Sequence, residues 1–157
     1  MIEPNTPLPS FRIHDDQGTE FTQASFQGSW TIFYFYPKDE TSGCTAQACS
    51  IRDSYSEFTK RGIKVFGISK DSVKSHQKFR NNHNLPFPLL SDTDHSMAIA
   101  FGVWAEKTLY GKKYMGMERS TALVNPEGIV VATFPNVSPE EHATFLLEHI
   151  QRFLGKE

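Results

Sequence analysis

The sequence predicts an α/β domain with parallel strand pairs in a central sheet and helices on both faces of that sheet. β-branched and aromatic runs alternate with segments of helical spacing in the order β-α-β-α-β-α. Crossover connections of this kind put consecutive strands side by side in one sheet. A hairpin pattern flanks this unit at each end. No repeat, low-complexity tract or linker interrupts the chain, so we expect one domain over residues 1–157.

The N-terminal part is predicted to hold an extended segment, a hairpin and a buried strand. Residues 1–9 are proline-rich, and Asp15-Asp16-Gln17-Gly18 has the chemistry of a hairpin turn. The two strands of this hairpin would cover residues 10–14 and 19–22. A β-branched and aromatic run then fills residues 30–36 without a break, which is typical of a buried strand.

A helix follows this strand after a short polar turn. Pro37 ends the strand, because proline cannot donate a hydrogen bond to a β-ladder. Ser42 is the candidate N-cap, and apolar residues at helical spacing continue to Phe58. Gly62 is the expected C-cap. A strand-to-helix junction therefore lies at residues 37–42.

The middle of the chain continues the alternation of strands and helices. Residues 63–69 are the next predicted strand, and residues 71–83 the next helix. A short strand at residues 89–90 follows a rigid connector that contains two prolines. Asp94 or Ser96 would cap a short helix after it.

The C-terminal part is predicted to form a second hairpin and a closing helix. Asn125-Pro126-Glu127-Gly128 is a turn signal between β-rich runs at residues 120–124 and 129–134. Ser138, followed by Pro139 and two acidic residues, is typical of a helix start.

Composition excludes several classes of function. The formal net charge of −2 gives no reason to expect a nucleic acid or an anionic membrane as partner. No apolar run approaches the ~18 residues that span a bilayer, and the first residues lack the features of a secretory signal. Two cysteines are too few for a disulfide framework. We expect a cytoplasmic protein whose thiols are catalytic or redox-sensing.

Cys44 is the first candidate functional residue, because it falls in the first turn of the helix after the central strand. Unpaired backbone N–H groups and the helix dipole favour a thiolate there, and the thiolate is the nucleophilic form. A lone cysteine is more commonly a small buried apolar residue. The small polar neighbours and the strand-to-helix junction, where open α/β sheets bind ligands, favour function instead.

Cys49 becomes a candidate through its nearness to Cys44. In an ideal helix, residues five apart point to different faces, with Cα atoms roughly 8–9 Å apart. A disulfide needs Cα atoms within about 7 Å of each other. A bond between Cys44 and Cys49 would therefore require the start of the helix to unwind. We favour a paired redox role for Cys49 over a role as core filler.

Arg119 immediately precedes the strand predicted at residues 120–124. An arginine at such a place is commonly a solvated surface charge. Alternatively it lies over Cys44, favours the thiolate and donates hydrogen bonds to a polar substrate. Spacing along the chain does not decide between the two.

Metal binding is the main competing interpretation of these residue types. Two cysteines and six histidines could in principle supply a zinc site. However, the cysteines point to different faces of one helix, and no histidine lies near them in sequence. We expect the pairs His76/His83 and His142/His149 to lie on solvated polar faces. We expect no metal and no cofactor.

The junction resembles the active-site motif of the peroxiredoxins. Pro37-x-x-x-Thr41-x-x-Cys44 is similar to Pro-x-x-x-Thr/Ser-x-x-Cys, and the longer string from Phe35 to Cys49 is similar to the bacterioferritin-comigratory, or Q-type, branch. In that branch the resolving cysteine lies five residues after the peroxidatic one. The likeness continues through Phe87-Pro88-Leu89-Leu90-Ser91-Asp92, Phe101-Gly102-Val103-Trp104 and Arg119-Ser120-Thr121, so it covers nearly the whole chain.

The resemblance implies roles for five residues. Cys44 would attack the O–O bond of hydrogen peroxide or an organic hydroperoxide and become a sulfenic acid, and Cys49 would condense with it to a disulfide. Thr41 and Arg119 would position the peroxide oxygens, and Pro37 would shield the thiolate from water.

The resemblance also implies a thioredoxin-like fold with an N-terminal β-hairpin extension. Thioredoxin or a similar dithiol protein would reduce the disulfide, and the protein would be a monomer or a weak homodimer. Gln47 departs from the glutamate that many Q-type members carry. The alternatives are a thioredoxin-like protein disulfide exchanger and a non-catalytic redox-sensing or zinc-binding module; this chain lacks the Cys-x-x-Cys motif usual in disulfide exchangers.

Overall fold

Strands and helices alternate along the computed structural model, which describes residues 1–136 and 138–154. Val137 and residues 155–157, which the predicted domain includes, lie outside the described residues. The strands are β1 Thr6–Pro7, β2 Arg12–Asp15, β3 Glu20–Thr22, β4 Trp30–Phe35, β5 Ile63–Ser69, β6 Leu89–Ser91, β7 Trp104–Leu109, β8 Lys112–Met117, β9 Ser120–Val124 and β10 Ile129–Pro135. The α-helices are α1 Ser42–Asp53, α2 Tyr55–Lys60, α3 Val73–His83, α4 Ser96–Ala100 and α5 His142–Leu154.

Eight of these strands form one mixed sheet in the order β1-β10-β9-β4-β5-β6-β2-β3. The pairs β4–β5 and β5–β6 are parallel, as the crossover pattern predicts, and the others are antiparallel. The predicted N-terminal hairpin, β2–β3, joins the sheet edge through β6. The central mixed sheet and the hairpin extension are thus confirmed.

Alternate residues of β4 point into two separate cores. Ile32 and Tyr34 face a core that also contains buried residues of α1, α2, α3 and α5. Phe33 and Phe35 face the other core, which α4 and the N-terminal hairpin help to close. Both faces of β4 are fully buried, which explains its unbroken apolar sequence. The prediction of helices on both faces is confirmed.

The structure differs from the predicted elements in two regions. The helix predicted from Ser42 to Gly62 is interrupted at Ser54, where φ is −113° and ψ is 12°, so that α1 and α2 are separate. Strands β7 and β8 were not predicted, and they pair in a two-stranded ribbon outside the main sheet. Tyr110 and Gly111 turn this ribbon with φ of 52° and 77°, the left-handed geometry of a two-residue hairpin loop.

The cap of α4 also differs in part from the prediction. Asp94 Oδ1 does accept a hydrogen bond from the backbone N–H of Ser96 at 3.1 Å. The buried carboxylate of Asp92, which was not predicted, accepts from the backbone N–H groups of Met97 and Ala98 at 3.0 and 2.8 Å. Asp92 therefore satisfies two N–H groups that the start of a helix leaves without partners.

The expectation that the histidine pairs lie on solvated faces is wrong for one member of each pair. His76 and His142 are fully buried, and each ring has hydrogen-bonding partners at both nitrogens. His142 continues the apolar stripe of α5, four residues before Leu146 and eight before Ile150. Both of those residues are also fully buried.

None of the helices in the described part of the chain combines the length and apolar character that crossing a bilayer requires.

We predict that His142 makes the stability of the protein pH-dependent. Burial and the nearby charge of Arg119 lower the pKa of His142 to about 3 from its ordinary value of 6.5. The unfolded chain therefore binds more protons between these values, so stability is complete above about pH 6.5 and is lost as the pH falls. The free energy of unfolding should drop by about 2 kcal/mol between pH 6.5 and pH 5 through this group. Urea denaturation across this range measures it.

The matched control for this prediction is His142→Asn, which has no titrating imidazole. Its unfolding free energy should change less between pH 6.5 and pH 5 than that of the wild-type chain. Equal pH slopes in the two proteins would contradict the assignment.

Candidate active site

The register between β4 and β9 brings the candidate residues together. These strands are antiparallel, and Phe35 near the end of β4 pairs with Ser120 at the start of β9. The loop that follows β4 and the residue that precedes β9 are therefore neighbours. Cys44 lies in the first turn of α1, directly after the first of these segments, and Arg119 is the residue of the second.

Cys44 occupies the third position of α1. Thr41, and not Ser42 as predicted, is the N-cap, with extended φ and ψ of −74° and 152°. The first intrahelical hydrogen bond runs from the backbone N–H of Thr45 to the carbonyl oxygen of Thr41 at 2.8 Å. The thiol is 1% exposed. It thus lies at the positive end of the helix, where backbone N–H groups favour an anion.

Arg119 contacts this thiol directly. Its Nη2 atom donates to Sγ of Cys44 at 3.5 Å. Gly43 makes room for the guanidinium, since a Cβ atom at this position would lie 3.3 Å from Nη2. A cation and a helix N-terminus both face one buried sulfur, an arrangement that stabilises a thiolate nucleophile.

A second set of contacts holds Arg119 from the other side. Its Nη1 atom donates to Oε1 of Gln47 at 2.5 Å. The amide nitrogen of Gln47 lies 3.0 Å from Nδ1 of His142, and Nε2 of His142 lies 2.8 Å from the hydroxyl of Thr121. Gln47, His142 and Thr121 are all buried. Four side chains from α1, β9, α5 and the segment before β9 therefore form one connected chain, which we call the Arg119 chain.

The loop between β4 and α1 is fixed to α3 through Asp39. The carboxylate of Asp39 accepts hydrogen bonds from Tyr36 at 2.6 Å and Ser75 at 2.8 Å, and its Oδ2 atom lies 2.8 Å from Nδ1 of His76. Nε2 of His76 faces the carbonyl oxygen of Leu90 at 2.9 Å. Because both ring nitrogens face acceptors, His76 donates from both and acts as the buried counter-cation of Asp39.

Glu40 makes a second attachment of the same loop. Its carboxylate accepts from Nδ2 of Asn82 at 2.8 Å and pairs with Nε2 of His83 at 2.6 Å, at the other end of α3. These hydrogen bonds, from Asn82 and then His83, lower the pKa of Glu40. Glu40 has a left-handed φ of 65°, which is strained for a residue with a Cβ atom. We call the contacts of Asp39 and Glu40 with α3 the α3 clamp.

One group of residues in the described part of the chain has the composition of a metal site. Asp39, Asp71 and His76 offer ligand atoms within 4.8 Å of one another. Both nitrogens of His76 are engaged, and Asp71 Oδ2 accepts from the backbone N–H of Asp39 at 2.8 Å and the hydroxyl of Ser69 at 2.5 Å. The oxygen and nitrogen atoms that could bind a metal are thus engaged in hydrogen bonds within the protein, so the cluster is suited to fixing the loop.

The remaining candidate residues lie close to Cys44 along the chain, in the loop before α1 or later on that helix. Pro37 is half-buried and opens the loop. Thr41 is exposed, and its hydroxyl donates to the carbonyl oxygen of Lys38 at 3.1 Å. Cys49 is half-buried on the same uninterrupted helix as Cys44, and both are free thiols.

Sequence patterns did not identify several residues of this region. His142 and His76 were assigned to solvated faces, although each is spaced like the apolar residues of its helix. Lys107 was not considered because β7 was not predicted. Its ammonium donates to the carbonyl oxygen of Met117 at 2.7 Å, and burial lowers its pKa.

Comparison with known proteins gives the family. A profile of the AhpC/TSA family matches residues 4–133. A putative peroxiredoxin, bcp, of Coxiella burnetii is 45% identical over 141 residues, which are 90% of this chain and 93% of that protein. Peroxiredoxin Bcp of Bacillus subtilis is 39% identical over 150 residues, which are 96% of each chain.

Solved structures agree with this assignment. Peroxiredoxin Q of Xanthomonas campestris superimposes with a TM-score of 0.87 at 40% identity, and the match covers 92% of this chain and 91% of that one. A mutant of PrxQ from Xylella fastidiosa gives a TM-score of 0.88 at 31% identity, over 98% and 99% of the two chains. The thioredoxin-like fold is thereby confirmed. The chain belongs to the AhpC/TSA family and, within it, to the Bcp or Q-type peroxiredoxins, which are thiol peroxidases.

Proposed function

We propose that this chain reduces hydrogen peroxide and organic hydroperoxides with Cys44 as the peroxidatic residue. The observation that carries the proposal is the contact between Arg119 Nη2 and the buried sulfur of Cys44 at a helix N-terminus. This contact stabilises negative charge on the sulfur and aims a cationic donor at the position where a peroxide would react. A structure of the related bacterioferritin comigratory protein from Xanthomonas campestris was described in connection with alkyl peroxide reduction.

The proposed reaction proceeds in three balanced steps. The Cys44 thiolate attacks one oxygen of the peroxide, the O–O bond breaks, and the leaving oxygen takes a proton to give water or an alcohol. The sulfenic acid of Cys44 then condenses with the thiol of Cys49, which releases water and forms a disulfide. A dithiol protein such as thioredoxin restores both thiols and is itself oxidised. No cofactor or metal takes part.

Three further residues assist the first step. The guanidinium of Arg119 donates to the peroxide and stabilises negative charge that develops on the leaving oxygen. The hydroxyl of Thr41, in the turn before the thiol, exchanges its hydrogen bond with Lys38 for one to the peroxide. Pro37 covers the thiolate on the loop side and limits the approach of water.

Disulfide formation requires a change in α1. Cys44 and Cys49 lie five residues apart on a continuous helix, where ideal geometry puts their Cα atoms roughly 8–9 Å apart. Since a disulfide needs about 7 Å or less, the first turns of α1 must unwind before the sulfurs can bond. Cys49 is thus a resolving residue that acts only in a locally unfolded state.

The central test measures peroxide-dependent oxidation of reduced thioredoxin by the purified protein. Turnover with hydrogen peroxide supports the proposal, and its absence would overturn it. A preference for protein disulfides over peroxide would point to a disulfide exchanger. Stoichiometric zinc bound through Cys44 would point to a metal-binding module.

The two cysteines should behave differently when they are replaced. We expect Cys44→Ser to abolish peroxide reduction, because a hydroxyl is a far weaker nucleophile than a thiolate. Cys49→Ser should reduce one equivalent of peroxide and then stop, because the sulfenic acid has no partner thiol. Stopped-flow tryptophan fluorescence and a thioredoxin-coupled assay separate the two results. Normal turnover of the Cys49→Ser variant with thioredoxin would contradict the resolving role of Cys49.

Replacing Arg119 tests whether its guanidinium promotes the attack of Cys44 on peroxide. Arg119→Ala should slow peroxide attack by roughly 100-fold, the effect of losing one donor aimed at a reacting oxygen. The thiolate fraction of Cys44 at neutral pH should also fall, which the ultraviolet absorbance of the thiolate measures. Arg12→Ala, at an exposed surface ion pair with Glu20, is the matched control and should leave both quantities unchanged. An unaltered rate in Arg119→Ala would contradict the role.

A further inference from the structure

The direction of every hydrogen bond in the Arg119 chain follows from the chemistry of its members. A guanidinium can only donate, so the side-chain atom of Gln47 that faces Nη1 of Arg119 is the carbonyl oxygen Oε1. The amide nitrogen of Gln47 must then face His142, and an amide nitrogen only donates. Nδ1 of His142 therefore accepts this hydrogen bond at 3.0 Å.

The tautomer of His142 follows from the same reasoning. Because Nδ1 accepts, its proton lies on Nε2, which donates to the hydroxyl of Thr121 at 2.8 Å. The imidazole is neutral, and its complete burial agrees with this state. The ring of Tyr34 packs edge-on against it, with ring centroids 5.5 Å apart. The groups that face His142 are thus Gln47 on α1, Thr121 on β9 and Tyr34 on β4, with Arg119 as the nearest charge that affects it.

We propose that His142 is a positioning residue for peroxide reduction, which holds the Gln47 amide in the one orientation that lets its carbonyl fix Arg119 against Cys44. The inference rests on the proposed function of Cys44. If the acceptor at position 142 is removed, the Gln47 amide group can rotate by half a turn. Its nitrogen, a donor, then faces the N–H donors of Arg119 and cannot bind them. The guanidinium loses its fixed partner and moves away from the sulfur.

The second part of the positioning role of His142 is that the partners behind Arg119 carry no charge. Gln47 binds Arg119 and His142 binds Gln47, and neither supplies a negative charge, so the cation keeps its full attraction for the thiolate of Cys44. A carboxylate at position 47 would share that charge. It would also present an acceptor to Nδ1 of His142, which would then have to carry a proton. The amide and the neutral imidazole are therefore matched to each other.

The test uses the full chain with Cys49→Ser, so that Cys44 is its only thiol and one round of peroxide reduction is observed. His142→Leu removes the acceptor while keeping a buried apolar side chain. We expect peroxide attack to slow about tenfold and the thiolate fraction of Cys44 at neutral pH to fall. His142→Asn should recover most of the rate, because its Oδ1 atom can replace Nδ1 as acceptor for Gln47. Equal rates in His142→Leu and in the unmodified Cys49→Ser chain would overturn the proposal.

His149→Leu is the matched control on the same helix. His149 is half-buried, stacks on Phe145 with ring centroids 4.0 Å apart and donates from Nδ1 to the Phe145 carbonyl oxygen at 2.8 Å. It makes no recorded hydrogen bond to the Arg119 chain, so its replacement should leave the peroxide rate and the thiolate fraction unchanged. A similar slowing in His149→Leu would mean that general loosening of α5, and not the acceptor, is responsible, and would overturn the proposal.

A spectroscopic measurement on the wild-type chain tests the proposal even if the His142 variants fail to fold, and one variant at position 47 extends it. The ¹⁵N chemical shifts of the His142 ring in the wild-type chain at pH 7 should show an unprotonated Nδ1 and a protonated Nε2. In Gln47→Glu, Nδ1 should become protonated, and the thiolate fraction of Cys44 should fall. A protonated Nδ1 in the wild-type chain would overturn the proposal.

Failure of this inference and failure of the proposed function give different results. A wild-type chain that does not react with peroxide would remove the proposed function, whatever the state of His142. A wild-type chain that reacts normally, together with an unchanged rate in His142→Leu, would remove only the positioning role.

Discussion

The antiparallel register that sets Phe35 opposite Ser120 is the constraint on which the site depends. It brings the end of β4 and the start of β9 to the same edge of the sheet, so Arg119 reaches a thiol 75 positions away in sequence. A shift of this register by one residue would turn the alternating side chains of β9 to the wrong faces. The two separate cores on either side of β4 make such a shift costly, because each would then receive side chains of the wrong size.

Charge is distributed unequally around the loop that precedes α1. On the α3 side, Asp39 and His76 form a fully buried ion pair, in which each partner compensates the other. On the β9 side, the guanidinium of Arg119 has, among the described residues, the neutral Gln47 as its one hydrogen-bonded partner apart from the thiol of Cys44. The first arrangement fixes the loop and leaves little field outside it. The second leaves a cation directed at sulfur, which suits a site where an anion reacts.

Much of the fold was predictable from local patterns, and the residues that were missed share a physical reason. β4, β5, β9, β10 and α3 carry uninterrupted apolar runs or strong caps, so local chemistry specifies them. Only Gly116 and Met117 are buried in β7 and β8, so these strands lack the apolar pattern from which a buried strand is predicted. Gly111 in the turn was the one local signal for the ribbon. Histidine is polar, so residue type alone predicts solvated positions for His76 and His142, whereas their places on the apolar stripes of α3 and α5 bury them. The contact of Arg119 with Cys44 depends on strand register, which a single sequence does not reveal.

The α3 clamp gives the loop one fixed end and one free end. Asp39 and Glu40 are held by α3, whereas Thr41 is exposed and makes no hydrogen bond to that helix. The break at Ser54 separates α1 from α2 at the far side. These two boundaries delimit residues 41–54, which carry both cysteines, and Cys44, Ala48 and Ile51 of this segment are buried in the core that α1 shares with α5. Under the proposed mechanism, unwinding of the first turns of α1 would withdraw Cys44 from this core and end its contact with Arg119. The buried, arginine-bound state of the thiol would then have to form again before each new attack on peroxide, so refolding of one helix end would become part of every turnover.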